Sequence, residues 1–122
     1  MNKKIAVWGR EFELKVVFDV YTGEDVLNEQ KEAMDAFLSV SDTLLSDDKE
    51  IKQYCVDNNK NEVGDSIENI FRYVIPTTLL IKRNTEKHVV ALLCNYRFDE
   101  EHGLALVYEN EKLVLIGSQD EV

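Results

Sequence analysis

The residues best equipped for chemistry are the carboxylates and histidine of "FDEEHG", where Asp99, Glu100 and Glu101 precede His102 and Gly103. A histidine beside carboxylates titrates near neutrality, so Glu101 and His102 are the pair that general acid-base catalysis would use. The same side chains offer oxygen and nitrogen donors to a metal, which needs three or four such ligands converging. The second histidine, His88, stands at the start of the preceding apolar run. An extended segment of that length spans about 33 Å, which keeps the two imidazoles from sharing one ion. The spacings that place ligands or nucleophiles on one element, H-E-x-x-H and G-x-S-x-G, are absent, as is a glycine-rich phosphate loop. No catalytic residue, metal or cofactor is therefore assigned. The competing reading is structural: acidic residues solvate a turn between two apolar strands, and Gly103 gives the backbone freedom to reverse.

Elements of ordinary type must position these residues. The sequence holds 122 residues with 44% hydrophobic and 31% charged side chains, which suits one folded domain over 1–122. "EFELKVVFDVY" sets Phe12, Leu14, Val16, Phe18 and Val20 at period two, a half-buried strand. With Ile5–Trp8 before it, linked through Gly9 and Arg10, it predicts an N-terminal hairpin. Val26, Ala33, Phe37 and Val40 share a helical face, predicting a helix from about Glu24 to Ser39. Ser46 heads a second helix whose first turn is acidic and whose buried stripe is Ile51, Tyr54 and Cys55. "DSIE" predicts a third, capped by Asp65, striped by Ile67, Ile70, Phe71 and Val74, and closed by Pro76. Strands then follow at Thr78–Lys82, His88–Phe98, Leu104–Glu109 and Leu113–Ile116, with "VVALLCNY" apolar on both faces as a central strand does. The expected fold is α+β: an antiparallel sheet, made of the N-terminal hairpin and a C-terminal meander, with about three helices inserted and packed on one face.

Charge narrows the partners. The formal net charge is -10, and without a concentrated basic face such a domain is poorly matched to nucleic acid. Asp19 to Glu50 carries a local balance of -8, whereas Arg72 to Arg97 carries +4. An acidic helix surface suits a basic protein partner, although acidity also serves solubility. The N-terminal apolar stretch is too short for a signal peptide or a membrane helix, so residence in the cytoplasm without membrane contact is expected. Cys55 and Cys94, each within an apolar pattern, read as reduced core thiols.

The last 50 or so residues resemble the C-terminal part of a group of small bacterial domains of unknown function. The resemblance rests on an aromatic strand leading into E-H-G and on a closing G-x-Q-D. Here these are Tyr96, Phe98, Glu101, His102, Gly103, Gly117, Gln119 and Asp120, with "IPTTLLI" upstream. It implies an intracellular immunity protein that neutralises a cognate toxin domain, a basic nuclease being the expected target, by covering its active-site surface with carboxylates. On that expectation the partner-binding residues are Asp47, Asp48 and Glu50 on the acidic helices, or Asp99, Glu100, Glu101 and His102 at the hairpin tip. The alternatives are an interaction domain with another partner and a small metal-dependent enzyme using Glu101 and His102.

Overall fold

Alternating apolar residues make strands and the 3.6-residue stripe makes helices, and the computed structural model, which describes residues 1–122, arranges them as follows. Strand β1 (Asn2–Val7) and β2 (Arg10–Phe18) are followed by helices α1 (Asn28–Leu44) and α2 (Lys49–Val63). Four strands complete the chain: β3 (Val74–Ile81), β4 (Val89–Tyr96), β5 (Leu104–Glu109) and β6 (Lys112–Gly117). Short 3-10 turns lie at Ile70–Arg72 and Gln119–Glu121. The class is α+β, and the six strands lie in the sheet in chain order.

Two expectations are corrected. The sheet is mixed, because β2 pairs in parallel with β3, Lys15–Phe18 lying opposite Thr78–Ile81, while every other pairing is antiparallel. Both helices lie in the β2–β3 connection, and such a helical crossover can deliver two neighbouring strands in the same direction. There are two α-helices, not about three. The segment expected to form the third reduces to the 3-10 turn, and Val74 and Ile75 already belong to β3. Pro76 does not end a helix; it sits inside β3, where the register with β4 shifts between Pro76 and Thr78. A residue without an N–H is tolerated at such an irregularity.

Smaller boundaries move for local reasons. The first hairpin turns at Trp8 (φ 52°) and Gly9 (φ 86°), one residue earlier than expected; two consecutive positive φ values are what the favoured two-residue turn requires. Helix α1 starts at Asn28 because Gln30 organises its entry. The Gln30 side chain is wholly buried, accepts from Leu27 N–H at 2.9 Å, and donates to the carbonyls of Asp19 at 2.8 Å and Ile81 at 3.2 Å. One amide thus ties the helix entry to the ends of the two parallel strands. Thr22 and Asp25 cap nothing, and Glu24 pairs instead with Arg83 at 2.6 Å.

The core is one cluster of 22 buried residues, in which Ala33 and Phe37 of α1 and Ile51 and Cys55 of α2 join the residues on one face of the strands. Phe37 meets Tyr108 edge to face at 5.2 Å. Both helices therefore cover the same side of the sheet. Three further buried apolar residues, Ala91, Ala105 and Val107, stand outside that cluster on the opposite face. Strand β4 is interior, as its composition predicts, but no helix covers its second face. No helix is long and apolar enough to cross a membrane.

Candidate functional site

"FDEEHG" is the connection between β4 and β5. Phe98 is clamped by Tyr73, stacked at 5.4 Å, and by Tyr96, edge-on at 5.5 Å. The Gly103 N–H closes the turn onto the Asp99 carbonyl at 2.8 Å. The Asp99 carboxylate accepts from the His102 N–H at 3.2 Å and faces Nδ1 of its ring at 3.0 Å. Nε2 of the same ring lies 3.4 Å from Asp120. Both ring nitrogens thus address carboxylates that belong to the turn and to the C-terminal segment. Gln119 completes the arrangement, its backbone N–H donating to the His102 carbonyl at 3.2 Å and its side-chain amide to the Cys94 carbonyl at 3.1 Å. Glu100 and Glu101 are exposed beside it.

His102 and Gly103 of the turn thus meet Gln119 and Asp120 in space, as a lock between the β4–β5 turn and the chain after β6. No set of three or more His, Cys, Asp or Glu side chains is grouped to hold a metal. His88 belongs to another turn, where its ring lies 2.8 Å from Glu111.

The hydrogen bond that the ring donates to Asp99, with the charges of Asp99 and Asp120, raises the His102 pKa above its usual 6.5. A raised folded-state value means that the stabilisation from this pair is fully present below 6.5 and lost as pH rises through the folded value. Proton NMR of the His102 ring should show a midpoint above 6.5, and Asp99→Asn should lower it. A midpoint unmoved by that substitution would remove the lock's electrostatic part.

The acidic start of α2 belongs to a different place. Asp47 and Glu50 line a cleft of about 400 Å³ between the α1–α2 junction and the β5–β6 hairpin. Trp8, Ile51, Tyr108 and Leu113 form its apolar wall, and Glu111 and Lys112 stand at its far side. Tyr108 is 3% exposed, yet its hydroxyl makes no hydrogen bond within the protein, and no side-chain polar atom is sealed from solvent without a partner. The phenol oxygen therefore opens into the cleft. Burial, with smaller contributions from Cys94 and Glu50, raises its pKa, so it stays a neutral donor and acceptor.

Asp48 points elsewhere, paired with Lys52 at 3.0 Å. The structure thus brings Asp47 and Glu50 together in this cleft, turns the Asp48 carboxylate to Lys52, and places the hairpin tip elsewhere. Trp8, Tyr108 and Glu111 escaped the sequence reading because they come from a turn, a core strand and a second turn, with no spacing to join them.

Other reactive groups are quiet. Cys55 and Cys94 are buried and unpaired. Desolvation raises both thiols, which disfavours the nucleophilic thiolate. Tyr96, whose pKa is also raised by burial, donates to Asn59 of α2. The basic segment is partly neutralised, Lys82 meeting Asp19 at 3.4 Å and Lys87 meeting Glu109 at 2.6 Å.

No curated protein and no solved structure matches this sequence. A family model described as a domain of unknown function, DUF6985, matches residues 1–122. With all six strands, both helices and the cleft inside that match, the chain belongs to the DUF6985 family.

Proposed function

We propose that this chain is a non-catalytic binding domain that receives a basic protein partner on its acidic helix side, and that the partner is a toxin domain which it neutralises. The observation that carries the reading is the cleft: Asp47 and Glu50 stand beside the Tyr108 hydroxyl, which opens into it without a partner in the protein, and the Trp8 wall. Carboxylates next to a desolvated aromatic surface suit an arginine or lysine side chain, which gains charge-assisted hydrogen bonds and ring contact together. The charge distribution supports it, with the -8 segment spanning α1 and the start of α2. The toxin identity is the most specific form of the proposal and rests on the resemblance of the C-terminal residues.

Titration with the toxin fragment encoded beside this protein's gene is the test. Tight binding is expected, with association slowing as salt rises. The double variant Asp47→Asn, Glu50→Gln should weaken binding by about 30-fold or more. Absence of binding by that fragment would sink the toxin reading, and binding untouched by the double variant would move the contact away from the cleft.

A further inference from the structure

We propose that the occupant of the cleft is an arginine side chain, held against the Trp8 indole and paired with the Glu111 carboxylate. The inference rests on the cleft as the partner's contact and names its ligand. Three non-glycine residues have positive φ: Trp8 (52°), Asn110 (48°) and Glu111 (64°). Asparagine tolerates that conformation. Asn110 also uses it, its N–H donating to the His88 carbonyl at 2.8 Å while its side chain accepts from the His88 N–H at 3.0 Å. Tryptophan and glutamate are strained there. Both of them line the cleft.

The strain at Glu111 is avoidable. Asn110 and Glu111 form the two-residue β5–β6 turn, whose second position glycine ordinarily fills, as Gly9 does in the β1–β2 turn. Glutamate there brings a carboxylate to the cleft, with Nδ1 of His88 2.8 Å from it. That contact is part-exposed, with side-chain accessibilities of 32% and 26%, and such pairs contribute little to folding. Folding alone thus gives glutamate little advantage over glycine at this position. Backbone strain of this kind collects where a side chain serves binding. His88 is then the positioning residue that keeps the carboxylate in place.

The lining also selects the ligand. Asp47, Glu50 and Glu111 are acceptors, against the single cation of Lys112. Tyr108, only 3% exposed, adds an oxygen without a partner in the protein. Acceptors therefore come from the start of α2 and the residues before it, from β5, and from the β5–β6 turn. A guanidinium presents five N–H donors in one plane and packs on aromatic rings, whereas an ammonium is a compact, strongly hydrated point charge. Acceptors from several elements around an indole suit the guanidinium.

Trp8 is the single tryptophan, so its fluorescence reports occupancy directly. Titration of the full chain with Nα-acetyl-arginine amide should change the emission saturably, and Nα-acetyl-lysine amide should bind at least about 5-fold more weakly. Glu111→Gly should weaken arginine binding by at least about 5-fold while leaving the melting temperature unchanged or higher. Glu111→Gln, which keeps the strained backbone, should weaken binding without a gain in stability. No saturable change up to about 0.1 M, lysine binding equal to arginine, or a Glu111→Gly variant that melts lower or binds as well as the parent would each overturn the proposal. Those failures leave the partner reading intact if the toxin fragment still binds and the Asp47→Asn, Glu50→Gln variant weakens it.

Discussion

Gly103→Ala is expected to destabilise the fold by about 3 kcal/mol and to lower the melting temperature by roughly 10 °C. Gly103 has φ 63°, where a β-carbon is strained. A methyl group there would also lie 2.6 Å from the Gln119 amide nitrogen and 2.7 Å from the Cys94 carbonyl oxygen. The first neighbour is a side chain and can retreat, but only by giving up its bonds to Cys94 and Leu104. The second is backbone of an interior strand and cannot. His102→Ala removes only exposed ion pairs and should cost far less. Thermal and urea unfolding of both variants would weigh the glycine against the histidine. A loss for His102→Ala as large as that for Gly103→Ala would contradict the view that the glycine, with the Gln119 bonds, carries the lock.

Gln30→Leu is the second large effect. The volumes are similar, so little cavity arises, but Leu27 N–H and the Asp19 carbonyl, both part-buried, lose their partner. The Ile81 carbonyl keeps one bond, from Asp19 N–H at 2.9 Å. Each stranded group costs about 1–3 kcal/mol, giving an expected destabilisation of about 3 kcal/mol in denaturant titrations. Gln30→Glu should also be costly at neutral pH, because it replaces the donating amide with a carboxylate that confronts two carbonyls. A Gln30→Leu variant as stable as the parent would show that the amide is not what fixes α1 to the strand ends.

What the sequence disclosed was periodicity, and what it withheld was adjacency. The alternation of Phe12, Leu14 and Val16 and the stripe of Ala33 and Phe37 placed those residues correctly in one core. The same logic misplaced Ile67, Ile70, Phe71 and Val74, because a 3-10 turn running into a strand can bury residues at nearly helical spacing. Val74 and Ile75, both β-branched, were the signal favouring a strand. Parallel pairing of β2 with β3 has no trace in either strand, since a pattern specifies a face and not a neighbour. The candidate site divides in the same way. Asp47 and Glu50 were visible as acidic residues at a helix start, whereas Tyr108 looked like any other core position until its hydroxyl proved to lack a partner.

The parallel pairing of β2 with β3 also shapes how the molecule comes together and comes apart. Strands β1–β2 join through a turn of two residues, and β3 to β6 join through short connections, so each block can assemble from contacts close in sequence. Only the β2–β3 seam waits for a loop of 55 residues to close, and that closure depends on both helices having docked. The seam holds four residue pairs, the fewest of any pairing in the sheet. It is the natural line of division between two cooperative units, along which amide exchange should first escape protection and a chain cut between α1 and α2 should reassemble from its fragments.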